Sequence, residues 1–247
     1  MADKYHKRFS WIYKDEQDKR IILDNQHRLF MYDYKANIEN SRYDYNRSIL
    51  LESTALQNPF DQFALWLKDA ELEGIKDYNA FNLATIGEDG FPNSRTVLLR
   101  KFDPSGMTFY TNYTSAKGQQ LEHSEKVCMN FFWNTLERQV RVYGIARKVS
   151  AEDSDAYFAT RPRESQIAAW ASMQSAEMRS REELETSLTN YANEFAGKPV
   201  TRPPHWGGYV IIPHYFEFWQ GRPSRLHDRL IYRVNENFDW YIYRVAP

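Results

Sequence analysis

Residues 126–150 read KVCMNFFWNTLERQVRVYGIARKVS. Two runs within this stretch, KVCMNFFW (126–133) and ERQVRVYGIARKVS (137–150), are rich in the β-branched and aromatic residues that favour extended strands. Only a short turn separates the two runs, and this spacing is typical of a hairpin. The stretch therefore predicts two neighbouring strands of an antiparallel sheet.

Further strands are predicted on both sides of this pair. Upstream, three short runs joined by the turns GEDG and DPSG indicate a meander: FNLATIG (81–87), SRTVLLRK (94–101) and MTFYT (107–111). Downstream, three more runs complete the sheet: YVIIPHYFEFWQ (209–220), RLIYRV (229–234) and FDWYIYRV (238–245). Many short strands with few helices predict a mainly β fold, an antiparallel barrel with peripheral α-helices.

Helices are predicted where capping residues precede an amphipathic pattern. A helix over 58–74 opens with Asn58 as its N-cap and Pro59 at its first position. Another helix starts at Ser150, where Asp153 completes a capping box. Helical periodicity predicts two more helices, over 163–172 and 181–195.

The chain is expected to consist of an arm and one domain. Its 247 residues, 42% of them hydrophobic and 26% charged, have the composition of a globular protein. Residues 1–57 are polar, charged and weakly periodic, so we expect an N-terminal arm that is partly disordered. Residues 58–247 contain no internal repeat and no linker, and are predicted to form a single domain.

Charge and cysteine content argue against several partners and compartments. A formal net charge of −1 gives no bulk attraction to nucleic acid or to an anionic membrane. The single cysteine, Cys128, cannot form a disulfide within the chain, and no apolar stretch approaches the length of a membrane span. The N-terminal sequence has no secretory hydrophobic region, so we expect a cytoplasmic protein.

Common catalytic and cofactor motifs are missing from the sequence. It contains no GxGxxG or GxxxxGK[ST] loop, which are the usual cradles for dinucleotides and phosphates. It also has no G-x-S-x-G elbow of a serine hydrolase. The six histidines lack the spacing of metal ligands, so no metal site is predicted.

Basic and hydroxyl-bearing residues cluster instead among the predicted strands and turns. Three clusters stand out: Arg95, Arg100 and Lys101; Tyr110, Thr111, Ser115 and Lys117, where a strand runs into a helix; and Tyr157, Arg161, Arg163 and Ser165. Free N–H groups and the dipole at a helix N-terminus favour bound phosphate. Each cluster alone fits a solvated surface, but together they favour a planar, phosphorylated, anionic ligand. The residues alone thus indicate a phosphate-binding β-barrel.

The stretch SRLHDRL (224–230) adds a fourth basic group. Successive side chains of a strand point to opposite faces, so a strand here would place Arg225, His227 and Arg229 in one row. Asp228 would then point the other way and contribute to stability. A solvated edge strand with Asp228 as a local counter-ion is the alternative interpretation.

These stretches together resemble the pyridoxamine 5'-phosphate oxidase family, from about Arg42 to the C-terminus. The resemblance is carried, in order, by RTVLLR, FYTN, LERQVRV, YFATRPRESQIAAW, QS, WGGY, EFWQG and RLHDR. It implies an FMN-binding split β-barrel that forms a homodimer with flavin at the subunit interface. It also implies oxidation of pyridoxamine or pyridoxine 5'-phosphate to pyridoxal 5'-phosphate, with O2 as the electron acceptor and H2O2 as a product.

The resemblance also implies roles for individual residues. The flavin contacts would be Arg95, Thr96, Val97, Leu98, Leu99, Arg100, Tyr110, Thr111, Lys117, Gln139, Gln174, Ser175, Trp219 and Arg229. The substrate contacts would be Arg42, Tyr45, Arg100, Tyr157, Arg161, Ser165, Arg225 and His227. Of these, Arg225 would stabilise charge on the substrate ring, and His227 would position or accept a proton as the second catalytic residue.

Two residues depart from the family pattern, and one pair raises a geometric difficulty. The family usually has Lys at the position of Arg100 and Arg at the position of Ala116. Arg95 and Arg100 have opposite parity, so both can line one site only with a bulge or on opposite sides of a dimer groove. Three alternatives remain: a flavoprotein acting on another small molecule, a non-catalytic barrel that binds flavin or pyridoxal phosphate, and, least favoured, a nucleic-acid-binding barrel.

Overall fold

The computed structural model describes residues 44–247 and, before them, the backbone of three short strands. These strands are β1 (Ile12–Lys14), β2 (Arg20–Leu23) and β3 (Leu29–Tyr32), which pair in that order as an antiparallel sheet. The rest of the first 43 residues, and with it the predicted disorder of the arm, lies outside the described residues.

The chain divides into two compact units, Met1–Asp44 and Tyr45–Pro247. The sequence placed the boundary later, between residues 57 and 58. The difference arises because the polar segment 45–57 contains apolar anchors: Leu50 and Ala55 are both buried in the core of the second unit. The backbone N–H of Leu50 also donates to Asp228 Oδ2 at 3.1 Å.

The five helices of the second unit lie around its sheet. They are α1 (Pro59–Leu72), α2 (Ala116–His123), α3 (Ala151–Ala159), α4 (Arg163–Ala171) and α5 (Arg181–Glu194). The caps expected from the sequence are present, since Asn58 Oδ1 accepts from Phe60 N at 2.8 Å and Ser150 Oγ accepts from Asp153 N at 2.9 Å. Local capping chemistry therefore fixes where α1 and α3 begin.

Nine antiparallel strands of residues 44–247 form one sheet. They are β4 (Ala80–Ile86), β5 (Pro92–Leu98), β6 (Lys101–Asp103), β7 (Gly106–Asn112), β8 (Lys126–Trp133), β9 (Arg138–Lys148), β10 (Trp206–Gln220), β11 (Asp228–Val234) and β12 (Trp240–Arg244). The predicted fold class, a mainly antiparallel β structure with peripheral helices, is confirmed.

The hairpin β8–β9 shows the periodicity that its sequence predicts. The register runs from Lys126 opposite Ile145 to Trp133 opposite Arg138. Alternate residues of β8 are buried, as a half-buried strand requires. Helix α1 packs on this buried face through Phe63, whose ring centroid lies 4.9 Å from that of Phe131. The core is thus an aromatic layer between the sheet and α1.

Strand β10 is shared by the two parts of the sheet. It has 15 residues and pairs with β9 along one edge from Tyr209 onwards. On its other edge, its first part pairs with β7 and its last part with β11. An irregularity in the register with β9 falls between Pro213 and Tyr215, between these two parts. Strand β10 therefore connects the part of the sheet that contains β7 with the part that contains β11.

The stretch SRTVLLRK is not a single strand. Strand β5 ends at Leu98, and the N–H of Arg100 donates instead to Thr108 O at 2.8 Å, on β7. Leu99 is buried in the core, while Arg100 is exposed. The break removes the parity conflict between Arg95 and Arg100, because the two arginines do not share one regular strand.

The predicted row of Arg225, His227 and Arg229 on one strand face is wrong. Strand β11 begins only at Asp228, and Pro223–Arg225 forms a 3₁₀ turn. Ser224 and Arg225 have φ angles of 55° and 61°, which are left-handed and incompatible with an extended strand. The turn folds back on itself, since the N–H of Arg222 donates to Nδ1 of His227 at 3.1 Å.

Asp228 joins the segment after residue 44 to the C-terminal strands. Its carboxylate bonds Arg244 at 2.7 Å, Arg222 at 2.9 Å and the N–H of Leu50. We expect Asp228→Asn to lower the free energy of unfolding by about 2 kcal/mol, because the buried carboxylate loses its charge-assisted bonds and Arg222 loses its carboxylate partner, while Arg244 keeps Glu52. Denaturant titration measures this loss. The exposed Glu236→Gln is the control, and equal stability of the two variants would contradict the assigned role.

Candidate functional site

A cleft of about 360 Å³ opens where β5 and β7 meet the N-terminus of α2, helices α3 and α4, and the start of β10. Ten of the residues assigned to flavin or substrate by resemblance line it: Thr96, Val97, Leu98, Arg100, Tyr110, Thr111, Lys117, Tyr157, Arg161 and Gln174. Residues from four distant parts of the sequence therefore meet in one place.

Lys117 is a buried cation in this cleft with neutral partners. Its Nζ donates to Gln174 Oε1 at 2.8 Å and to Ser115 Oγ at 3.3 Å. Burial, together with the nearby charge of Arg95, lowers the pKa of the Lys117 ammonium to about 8. An anion in the cleft would relieve this destabilisation of the charged form.

Arg161 is held by aromatic faces. Its guanidinium carbon lies 4.6 Å from the centroid of the Trp206 ring and 5.4 Å from that of Phe158. Within residues 44–247, its Nη1 is buried and has no hydrogen-bond partner. Burial lowers the pKa of this guanidinium. Arg161 lines the cleft, and a buried donor without a partner is rare in folded proteins, so an anionic ligand is a natural partner for this guanidinium.

Two more arginines add positive charge. Arg100 lines the cleft, whereas Arg95 lies beside it and donates to Thr85 Oγ1 at 2.5 Å and to Gln120 Oε1 at 2.7 Å. Burial lowers the pKa of Arg95 as well. Among the described residues, no carboxylate forms a salt bridge with any of the four cations, Arg95, Arg100, Lys117 and Arg161. The site therefore carries an uncompensated positive charge.

Three aromatic rings form one wall of the cleft. The ring of Tyr110 lies 3.8 Å from that of Tyr157 and 5.5 Å from that of Trp206, in planes within about 11° of each other. Gly208 leaves room for the ring of Tyr110, since a Cβ there would lie 2.8 Å from its Cε1 atom. The wall gives the cleft a flat, polarisable side next to its cations.

The N-terminus of α2 faces the same region. Ser115 caps the helix by accepting from the N–H of Gly118 at 3.3 Å, and its own hydroxyl donates to Asn112 O at 2.7 Å. Ala116, the first helical residue, is exposed and lines a neighbouring groove that it shares with Gln174 and Ser175. Ser175 has a left-handed backbone, with φ of 72°.

A second group of the predicted residues lies at the far end of β10. The ring of His227 lies 4.6 Å from that of Trp219, and the ring of Tyr45 lies 5.7 Å from both. Gln139 pairs with Trp219 across β9 and β10. Burial, together with the charge of the exposed Arg225, lowers the pKa of His227, so its imidazole is neutral near pH 7.

Arg229 belongs to this second group and is held by Glu217. Its Nε donates to Glu217 Oε1 at 2.8 Å, and its Nη1 donates to Ala246 O at 2.8 Å. Burial alone would raise the pKa of Glu217, but Arg229 and Arg141 outweigh it and lower the pKa. Glu217 therefore stays ionised and fixes the guanidinium of Arg229.

None of the second group lines the cleft. Trp206 stands at the first position of β10 and Trp219 close to its last, so at about 3.3 Å per residue they are roughly 40 Å apart along the strand. Arg161 and Tyr157 lie at the first end, whereas His227 and Arg229 lie at the second.

Besides Arg95, three predicted residues neither line the cleft nor belong to the second group, and one is not described. Leu99 is buried in the core, and Ser175 lies in the groove beside Ala116. Ser165 lies on α4 one turn before Ala168, which lines the cleft, so the two share a helix face. Arg42 is outside the described residues.

Sequence reasoning missed several residues of the cleft. Asn112, Ser172 and Trp206 line it, and Gln120 holds Arg95. Gln120 follows Lys117 by one helical turn, a spacing that could have identified it. Trp206 begins the WGGY motif, but a lone tryptophan before two glycines carries no signal of the cation above its ring.

Comparison with known proteins identifies the family. Residues 67–193 match the family model described as pyridoxamine 5'-phosphate oxidase, and residues 206–247 match the pyridoxine 5'-phosphate oxidase C-terminal dimerisation region. The chain belongs to the pyridoxamine 5'-phosphate oxidase family. Pyridoxine/pyridoxamine 5'-phosphate oxidase of Cytophaga hutchinsonii is 49% identical over 86% of this chain and 100% of its own length. The enzyme of the same name from Bordetella avium is 48% identical over 85% of this chain and 100% of its own length. The chain is therefore an oxidoreductase.

Solved structures of related proteins have the same architecture. PhzG from Burkholderia lata 383, solved with tetrahydrophenazine-1-carboxylic acid, is 28% identical and has a TM-score of 0.75 over 81% of this chain and 98% of its own. An FMN-binding protein from Nostoc punctiforme, related to the oxidases, is 17% identical with a TM-score of 0.62 over 77% and 98%, and this likeness supports the fold. No helix among the described residues is long and apolar enough to cross a membrane.

The lowered pKa of Lys117 predicts how this member of the oxidase family responds to pH. In the ligand-free protein this pKa is about 8, below the ordinary value of 10.5, so between these values the unfolded chain binds more protons than the folded one. The free energy of unfolding of the wild type is therefore expected to rise with pH relative to that of Lys117→Met.

Denaturant titrations across this pH range measure the difference, with the exposed Lys198→Met as control. Parallel pH profiles for the wild type and Lys117→Met would contradict the buried, charged state assigned to Lys117.

Proposed function

We propose that this chain binds FMN in the cleft and oxidises pyridoxamine and pyridoxine 5'-phosphate to pyridoxal 5'-phosphate. Oxygen accepts the two electrons and becomes H2O2. The observation that carries the proposal is the set of four cations around one cleft without a carboxylate partner among the described residues. Two phosphate groups, one on the cofactor and one on the substrate, would supply the missing negative charge.

The donor set fits a flavin phosphate on one side of the cleft. Lys117 is buried with neutral partners, Arg95 lies close enough to lower its pKa, and the N-terminus of α2 adds backbone N–H groups. These groups would hold the FMN phosphate. When bound, FMN supplies a two-electron acceptor that oxygen can reoxidise.

The other side of the cleft fits the substrate phosphate. Arg161 and Arg100 line this side with guanidinium groups that have no carboxylate partner among the described residues, and Tyr157 lines it beside them. Charge-assisted hydrogen bonds of this kind are the stronger class. With the phosphate held here, the rest of the substrate has one end fixed, which favours a reproducible orientation for transfer.

The residues at the far end of β10 would act on the substrate ring. Nδ1 of His227 accepts from the N–H of Arg222, so the neutral imidazole carries its proton on Nε2. In this state Nε2 of His227 would donate a hydrogen bond to the substrate, and the imidazole would not act as a strong base. Arg225 would stabilise negative charge on the ring, and Tyr45 packs beside His227.

The reaction balances with oxygen and water. For the amine substrate, one C–H bond and one N–H bond break, two electrons and two protons leave, and carbon and nitrogen form an imine. Water adds to the imine, and ammonia leaves to give the aldehyde. Oxygen takes the two electrons and two protons as H2O2. The alcohol substrate gives the same aldehyde without the hydrolysis step.

We further propose that the complete site forms between two copies of the chain. The two groups of residues lie at opposite ends of β10, roughly 40 Å apart by strand length, so they would meet only across subunits. The match of residues 206–247 to a dimerisation region supports this arrangement, because it includes the whole second group except Tyr45 and Gln139. Homodimers with a two-fold axis place such ends opposite each other in pairs.

A flavoprotein acting on another small molecule is the main competing function. PhzG was solved with a carboxylic acid that has no phosphate group. The unpaired Nη1 of Arg161, beside Arg100 and Tyr157, favours a phosphate ester in the present chain.

Anaerobic addition of pyridoxamine 5'-phosphate to the FMN-loaded protein is expected to bleach the visible flavin band. Admission of oxygen should restore the band and produce H2O2, and absorbance spectroscopy with a peroxide assay follows both steps. Pyridoxamine without phosphate, at the same concentration, serves as the control and should bleach the band far more slowly. A flavin band that stays unchanged with the phosphorylated substrate would overturn the proposed function.

Subunit mixing tests the composite site. Arg161→Ala and His227→Ala are each expected to be nearly inactive alone. If each site combines one residue from either copy, a mixed dimer contains one site with both changes and one site with neither. Co-expression with two affinity tags, followed by isolation of the mixed dimer, should then recover activity of about one intact site. Absence of recovery would indicate that both residues serve a site within one chain.

A further inference from the structure

Trp206 has a place in the cleft that no assigned role covers. It lines the cleft at the first position of β10, and its ring carries the guanidinium of Arg161 on one face. We propose that Trp206 is a positioning residue that holds Arg161 and Tyr157 for the substrate phosphate, and so sets the preference for phosphorylated substrates. This inference rests on the proposed function of the cleft.

The position of Arg161 depends on aromatic rings. Within residues 44–247 its side chain forms no hydrogen bond and no salt bridge, and its guanidinium lies over the faces of Trp206 and Phe158. A carboxylate would also orient the guanidinium, but it would neutralise the charge and occupy the N–H groups. An aromatic face attracts the cation while it leaves the N–H groups free to bind an anion.

Trp206 also extends the stack that contains Tyr157. The planes of these two rings differ by 3° with centroids 6.2 Å apart, and Tyr110 stacks on both. Loss of the indole would therefore free Arg161 and remove one of the two rings, Trp206 and Tyr110, against which Tyr157 stacks. Lys117, on the flavin side of the cleft, bonds Gln174 and Ser115 and not the indole, whereas Tyr110, assigned to flavin by resemblance, stacks on the indole.

The indole itself is rigidly anchored. It belongs to a small buried cluster with Phe158, Ile167 and Val200, and its backbone carbonyl accepts from Arg202 at 2.7 Å. Pairing with Asn112 of β7 fixes the backbone. Because the indole is already fixed, it can hold the guanidinium of Arg161 in place with little further loss of side-chain entropy.

A purely structural role for Trp206 makes a different prediction from a positioning role. If the indole only fills the cluster, its loss weakens catalysis equally for substrates with and without phosphate. If it positions Arg161, the loss falls on the phosphorylated substrate. The ratio of kcat/KM for pyridoxamine 5'-phosphate to that for pyridoxamine therefore separates the two roles.

The variants are Trp206→Leu and Trp206→Phe, with Trp170→Leu as the matched control. Trp170 packs against the same cluster, but no cation lies over its ring among the described residues. Trp206→Leu is expected to lower the kcat/KM ratio by roughly tenfold, chiefly through KM, since a partly desolvated cation–π contact is worth that much. Trp206→Phe keeps an aromatic face and should recover part of the ratio, and Trp170→Leu should leave it unchanged.

Inorganic phosphate provides a readout independent of turnover. Calorimetric titration of the FMN-loaded dimers should show weaker phosphate binding in Trp206→Leu than in the wild type and in Trp170→Leu. A ratio and a phosphate affinity that are equal in Trp206→Leu and wild type would overturn the inference. If the wild type oxidises neither substrate, the proposed function fails, and the phosphate titration alone then decides the role of Trp206.

Discussion

The central physical constraint in this protein is a cleft whose cations have no acidic partner among the described residues. Elsewhere in these residues, partly buried arginines are paired: Arg138 with Asp69, Arg229 with Glu217, and Arg244 with Asp228. Burial of a charge without a counter-ion is costly, so an unpaired set in one place indicates that the counter-charge comes from outside the chain. The cost appears directly in the lowered pKa of Lys117.

One long strand of the fold positions the candidate residues. Strand β10 starts beside the cleft with Trp206 and ends with Trp219 and Gln220, next to the turn that carries Arg225 and His227. The same strand thus supplies a rigid base for both groups of candidate residues. Because the groups lie at opposite ends of β10, the proposed active site needs residues from two subunits. The proposed dimer is therefore required for a complete site.

Much of the fold could be predicted because it follows from local rules. The alternation in KVCMNFFW, the cap at Asn58 and the cap at Ser150 each depend on a few neighbouring residues. The errors fall where tertiary structure overrides alternation: the chain breaks after Leu98, and it turns with left-handed Ser224 and Arg225 before β11. The convergence of the cleft residues came from family resemblance, since spacing alone does not bring Arg161 to the face of Trp206.

A comparison of FMN with riboflavin tests the central claim most directly, because the two ligands differ only in the phosphate. Calorimetric titration of the flavin-free protein at pH 7 should show FMN binding at least a hundredfold more tightly, as two charge-assisted contacts of roughly 1.5–3 kcal/mol each would give. Much of this difference should disappear in Lys117→Met. Equal affinity of the wild type for FMN and riboflavin would contradict the claim that the unpaired cations of the cleft serve to bind phosphate.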